Sequence, residues 1–184
     1  MAPDVVRRVI TGQREDGESL FTHVEEVEPL RRADGTTQWW GIWGFDQLPT
    51  LPFIDEEPYR AASLFPPTGA VRVQMVNIPP GARQDVARPS DEWFALRDGA
   101  DVGHDMDDAT GMHTTDTIDV GIVVSGECEI RQGDGSSERL RVGDVYVQNG
   151  AEHAWHNDSG EDFIIVFVFL GVDRRPGFPK RLTS

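Results

Sequence analysis

Two stretches decide the reading of this chain. The first is His113-Thr114-Thr115-Asp116-Thr117-Ile118-Asp119-Val120-Gly121-Ile122-Val123-Val124-Ser125-Gly126. The second is Gly143-Asp144-Val145-Tyr146-Val147-Gln148-Asn149-Gly150-Ala151-Glu152-His153-Ala154-Trp155-His156-Asn157. Between them Gln132-Gly133-Asp134-Gly135 has the composition of a tight turn. Each stretch sets polar, ligand-type residues among β-branched and apolar ones, the mark of strands with one face buried. Side chains on a strand alternate between faces. His113, Thr115, Thr117 and Asp119 therefore point one way, and so do His153, Trp155 and Asn157. If both stretches line one barrel, His113, Asp119 and His153 converge. Two imidazoles and a carboxylate are a known ligand set for iron and similar ions.

The spacing resembles the two motifs of the cupin superfamily. The first family motif runs His, a second His two on, an acid four further and Gly seven after that; here it reads His113, Thr115, Asp119, Gly126. The second opens with Gly-Asp and carries Gly, His and Asn; here it reads Gly143, Asp144, Gly150, His153, Asn157. Thr115 stands where the family has its second His, and Asp119 is shorter than the family's Glu. The resemblance spans about Val71 to Gly171. It implies an all-β fold, a double-stranded β-helix (jelly-roll barrel), with an N-terminal β extension and a short helix. It also implies a divalent metal held by His113, Asp119 and His153. Fe2+ is favoured, with Zn2+, Mn2+ or Ni2+ as other choices. Thr115 and Asp119 are the candidate catalytic groups: Thr115 could hydrogen-bond a metal-bound water, and Asp119 could orient a His or act as a base.

Around this centre the chain reads as one domain, 1–184, which is long enough to bury a core. Residues 1–69 form an arm, 70–171 the barrel and 172–184 a tail. Strands are expected over Val5–Ile10, Ser19–Val27 and the aromatic run from Thr36 to Phe45. A proline-rich connection follows, with one helical turn near 56–62. Val71–Ile78 is a strand of undecided parity: Arg72, Gln74, Val76 and Ile78 share one face and Val71, Val73, Met75 and Asn77 the other. If the first face is interior, Arg72 and Gln74 need partners, and a substrate could supply them. Trp155 and Tyr146 are the other candidate substrate contacts. Ser90 caps an expected helix over 90–96, and 98–111 is an acidic, Gly-rich stretch that reads as a solvated loop, with a lid over the barrel mouth as the alternative. Phe163–Leu170 is apolar at every position, which predicts a strand buried on both faces and with it a homodimer.

Net charge is −15. That argues against nucleic acid and anionic membrane as partners, because both attract basic patches. The expected partner is a small-molecule substrate. The single cysteine, Cys128, excludes an intrachain disulfide and reads as a small buried hydrophobe. The first residues lack an apolar core of signal-peptide length, and the longest apolar run is too short for a bilayer. The cytoplasm is the expected compartment. The leading function is a metal-dependent enzyme on a small organic metabolite, with dioxygenase or other oxygenase chemistry first. Lyase (dehydratase or decarboxylase) or isomerase chemistry, metal-dependent or acid–base, is the alternative. A non-catalytic small-ligand-binding cupin is the third.

Overall fold

The computed structural model describes residues 1–31, 37–52, 59, 63–82, 105–107 and 110–177. The expected helix over 90–96, the helical turn near 56–62 and most of the acidic loop over 98–111 lie outside the described residues. Within them the structure is all β, with thirteen strands. An N-terminal hairpin pairs β1 (Val6–Gln13) with β2 (Ser19–Val27). The remaining strands are β3 (Leu30–Arg31), β4 (Gln38–Phe45), β5 (Val71–Ile78), β6 (Asp105–Met106), β7 (His113–Thr114), β8 (Thr117–Ser125), β9 (Glu127–Gln132), β10 (Ser137–Arg141), β11 (Val145–Asn149), β12 (His153–His156) and β13 (Phe163–Gly171). They form two sheets, in the orders β11-β8-β13-β5-β4-β3 and β10-β9-β12-β7-β6.

The chain passes from one sheet to the other inside each motif. β7 belongs to the five-stranded sheet and β8 to the six-stranded one, with Thr115 and Asp116 between them. At Gly126 the chain turns back to β9, and at Gly150 it crosses from β11 to β12. Both glycines have left-handed φ, +67° and +65°, a region that side chains with a Cβ avoid. These crossings close two antiparallel sheets over one interior, the jelly-roll form of a double-stranded β-helix.

Alternation sorts the side chains as the sequence predicts. Along β8, Thr117, Asp119, Gly121 and Val123 are buried while Ile118, Ile122 and Val124 face out. On β5 the undecided parity is settled: Arg72, Gln74, Val76 and Ile78 are all buried. The core gathers Trp39, Phe65, Val76, Ile78, Trp155 and the inward face of β13, Phe163, Ile165, Phe167 and Phe169. Burial on both faces of β13 holds only in part, since Val166 and Val168 are half-buried and Leu170 is exposed.

Two polar side chains tie the frame together. Arg8 is 6% exposed and holds the N-terminal hairpin against β4, donating from Nη1 to the Ile42 carbonyl at 2.7 Å and from Nη2 to Glu25 at 2.8 Å. Asn157 is fully buried, and its Nδ2 donates to the carbonyls of Ile78 (2.6 Å) and Glu161 (2.9 Å). Its Oδ1 accepts from the Ser159 amide (3.0 Å) and hydroxyl (2.7 Å). Asn157→Ala strands the buried Ile78 carbonyl, removes the anchor of the turn at Ser159 and Glu161, and leaves a void. We expect a loss of about 3 kcal/mol in urea unfolding, from the unmade bonds alone. A loss below about 1 kcal/mol would mean that the loop re-pairs without it.

Candidate functional site

The interior opens into a pocket lined by Trp39, Phe65, Val76, Ile78, His113, Thr115, Asp119, Tyr146, His153, Trp155, Phe167 and Phe169. His113 and His153 are directly opposed partners in the antiparallel pair of β7 and β12. Opposed residues of one pair lie close enough to touch, and the two imidazole centroids are 4.2 Å apart. Nδ1 of His113 faces the Gly111 carbonyl at 3.1 Å, and Nδ1 of His153 faces that of Ala151 at 2.9 Å. A carbonyl only accepts, so each Nδ1 carries the proton in the neutral ring and Nε2 becomes the acceptor nitrogen. Backbone bonds that set ring tautomer and orientation in this way are the usual support of metal-binding histidines.

Asp119 reaches the same pocket from the other sheet, on β8. It is 3% exposed, and its Oδ1 has no hydrogen-bond partner among the described residues. Burial pushes its carboxyl up to about 7, opposed only in part by the Thr117 hydroxyl. A buried carboxylate without a countercharge resists ionisation in this way. Thr115, at the crossing between the sheets, accepts a hydrogen bond from Thr117 Oγ1 at 2.7 Å. Arg174, in the stretch read as a tail, secures that crossing. Its Nη2 donates to Thr114 Oγ1, the Thr115 carbonyl and the Gly150 carbonyl, while Nε pairs with Asp116 at 2.7 Å.

The structure thus brings six of the eight residues singled out from sequence to one pocket: His113, Thr115, Asp119, Tyr146, His153 and Trp155. Tyr146 and Trp155 meet edge to face at 5.4 Å, and burial raises the Tyr146 phenol pKa above its ordinary value. Arg72 and Gln74 share the interior face of β5 but do not line the pocket. The Arg72 guanidinium bonds the Phe45 and Val71 carbonyls, Ser63 and Asp46. Gln74 Nε2 donates to the Leu64 carbonyl. These bonds come from the chain itself, while Arg72 Nε and Gln74 Oε1 are left without a hydrogen-bond partner among the described residues.

For a metal, the two imidazoles fit as donors. Asp119 stands in the opposite sheet, and no cluster of three His, Cys, Asp or Glu groups able to hold an ion forms among the described residues. The carboxyl therefore fits as a pocket group facing the imidazole pair, and the three do not form one closed ligand set. Cys128 is fully buried and its thiol is pushed up to about 12 by that burial, which leaves it protonated and unreactive.

Sequence reading did not place Phe167 and Phe169 at the site. They belong to an all-apolar strand whose two faces look alike in sequence. Gly121 could have been the signal. A Cβ there would come within 2.6 Å of the Phe167 ring, so the glycine makes room for the aromatic wall beside Asp119.

Residues 101–169 match the family model for the cupin domain. Oryzines biosynthesis cluster protein J of Aspergillus oryzae is 36% identical over 64 residues, 35% of each chain. Phomopsin biosynthesis cluster protein C' of Diaporthe leptostromiformis is 46% identical over 65 residues, 35% of this chain and 34% of that one. The cupin-domain-containing oxidoreductase virC of Hypocrea virens is 43% identical over 49 residues, 27% of this chain and 25% of that one. The matches span between a quarter and about a third of these relatives. Among solved structures, an uncharacterised protein with a double-stranded β-helix domain from Klebsiella pneumoniae aligns at 18% identity and a TM-score of 0.45, over 77% of this chain and 82% of that one. No helix among the described residues is long and apolar enough to cross a membrane. The span matched by the family model takes in both motif crossings and supplies eight of the twelve residues that line the pocket, so the segment similar to the cupin domain is the one that carries the site's imidazoles and carboxyl.

Proposed function

We propose that this chain is an enzyme acting on a small, largely apolar organic molecule in the barrel pocket, with oxidoreductase chemistry of the oxygenase type. One observation carries the reading. A carboxyl oxygen of Asp119 without a hydrogen-bond partner among the described residues, an adjacent pair of imidazoles and a wall of aromatic rings all meet in one concave site. Such a site, apolar with a few convergent polar groups and a perturbed carboxyl, is the usual form of an active site. The names of two relatives, both cupin-domain-containing oxidoreductases, support the reaction class.

The aromatic walls bind the substrate and exclude water. Nε2 of His113 and of His153 would hold a divalent ion, with iron(II) favoured. Such an ion, when bound, supplies dioxygen chemistry or Lewis-acid polarisation. Asp119 holds or accepts a proton at Oδ1, and its pKa near 7 suits transfer in either direction at neutral pH. Thr115, bonded to Thr117, offers a hydroxyl to a polar group of the substrate or to water.

The test is metal analysis of protein purified without chelator or nickel resin, with His153→Ala beside it, followed by turnover of phenolic and other aromatic substrates. We expect near-stoichiometric metal that is lost in His153→Ala. Asp119→Asn should keep metal and lose on the order of a hundredfold in kcat, the typical worth of a positioned acid–base group. Failure to take up metal under any loading condition would sink the oxygenase reading. A second reading would then stand, favoured by the raised Asp119 pKa: metal-free acid–base catalysis of the lyase or isomerase kind.

A further inference from the structure

We infer that Gln148 is a positioning residue for the site: its side-chain amide holds the Ala151 carbonyl in the direction that keeps the proton of His153 on Nδ1 and leaves Nε2 as an acceptor toward the pocket. His153 reaches its place through the crossing Gly150-Ala151-Glu152, which joins β11 to β12. These three residues belong to neither strand, so no ladder pairing sets the direction of the Ala151 carbonyl. Yet that carbonyl, 2.9 Å from His153 Nδ1, is the acceptor that decides the ring's tautomer. A second donor meets it from β11, Gln148 Nε2 at 3.0 Å.

The amide can sit only one way round. The Asn149 backbone N–H donates to Gln148 Oε1 at 3.0 Å, and an N–H needs an acceptor opposite it. Turning the amide over would set N–H against N–H at Asn149 and oxygen against oxygen at Ala151, and both bonds would be lost. Gln148 is 3% exposed, so an unmade bond here carries the full cost of a buried polar group. The Ala151 carbonyl therefore has both lone pairs taken, one by Gln148 and one by His153.

The peptide before it is anchored as well. The Gly150 carbonyl accepts from Thr114 Oγ1 at 2.8 Å and from Arg174 Nη2 at 3.1 Å. With that carbonyl fixed, the Ala151 carbonyl is the remaining group on the way to His153, and Gln148 supplies its restraint. Gln148 also joins the two sheets at the site. It stands directly opposite Asp119 in the pairing of β11 with β8, and its amide reaches the crossing that enters the five-stranded sheet. His113 is an internal control. Its ring lies 4.2 Å from that of His153, but its Nδ1 faces the Gly111 carbonyl, while Gln148 bonds Ala151 and Asn149. A general loosening of the barrel disturbs both rings, and loss of the Gln148 restraint disturbs His153 alone.

The test is a long-range proton–nitrogen correlation spectrum of the full chain with labelled histidine, in EDTA at about pH 8.5, where an ordinary imidazole is neutral. It reads which ring nitrogen carries the proton. In the wild type, His113 and His153 should both carry it on Nδ1. In Gln148→Met the His153 ring should move roughly fivefold toward the form protonated on Nε2, the net worth of one hydrogen bond, with His113 unchanged. A His153 tautomer that does not move in this variant overturns the inference. So does an equal movement of both rings, and so does a wild-type His153 protonated on Nε2. Should Gln148→Met fail to fold, the wild type still decides. The two protons of the Gln148 side-chain amide should give separate signals that exchange slowly with solvent, and exchange as fast as that of an exposed glutamine overturns the inference. The effect on turnover rests on the enzyme reading above, under which kcat/KM should fall by about the same fivefold. The spectra need neither metal nor substrate, so a moved tautomer in a protein without turnover counts against the enzyme reading alone.

Discussion

Asp119→Asn should stabilise the metal-free protein at neutral and alkaline pH, even though it removes a proposed catalytic group. The carboxyl has a pKa of about 7 in the folded chain against 3.8 for an ordinary aspartate. Between those values the folded state binds more protons than the unfolded one, so stability falls as pH rises. The cost of ionising Asp119 inside the barrel is nil below the unfolded pKa. It grows to about 2 kcal/mol at pH 5 and about 4 kcal/mol at pH 8, where it levels off. Asparagine has nothing to ionise and escapes this cost. Thermal melts in EDTA at pH 5 and pH 8 should therefore show the variant's advantage widening with pH. At pH 8 it should approach about 10 °C for a chain of this size. An advantage that does not change with pH would mean that Asp119 titrates normally and that its burial is relieved by something else. Acid–base sites carry this trade regularly, since the environment that tunes a carboxyl toward neutrality also destabilises its charged form.

Gly126→Ala should be far more damaging than its conservative look implies. Gly126 turns the chain from β8 to β9 with φ +67°, where alanine is strained. A Cβ at this position would also overlap the Asp162 carbonyl oxygen, a backbone atom with no rotamer to escape into. Strain of about 1 kcal/mol and the displacement of a packed backbone together predict a loss above about 3 kcal/mol, with poor soluble yield. Gly135→Ala is the control. That glycine has φ +86° in the turn between β9 and β10, and a Cβ there meets nothing within 4 Å. It should cost only about 1 kcal/mol, the conformational term alone. Equal losses in the two variants, measured by urea unfolding, would show that the contact with Asp162 carries no weight.

Much of the barrel was legible because its signals are local. Alternation along Thr117–Ser125 marks a half-buried strand whatever the strand packs against. Motif spacing placed His113 and His153 on comparable strands, and parity put Thr115 and Asp119 on the same side as His113. The turn at Gln132–Gly135 could be read from backbone preference.

Other features depend on which strands become neighbours. The Arg72 face of β5 could not be assigned from its own residues, since it alternates Arg, Gln, Val and Ile against Val, Val, Met and Asn. Only the pairing of β5 with β13 and β4, and the burial of the Arg72 guanidinium among the carbonyls of Phe45 and Val71, settled its side and its role. The aromatic wall was hidden for the same reason. Phe167 and Phe169 look like their outward neighbours Val166 and Val168 until the sheet has an inside. Arg174 lies far along the chain from Thr114 and Thr115, and no local pattern joins them. The histidines meet because β7 pairs with β12 in one sheet, while Asp119 arrives from the other sheet. By itself, then, the sequence determined most of the strands, the inward residues of the two motif stretches and the family they resemble. Tertiary structure decided which inward residues share a pocket and which only brace it, because contacts between strands distant in sequence exist only after the two sheets have closed over each other.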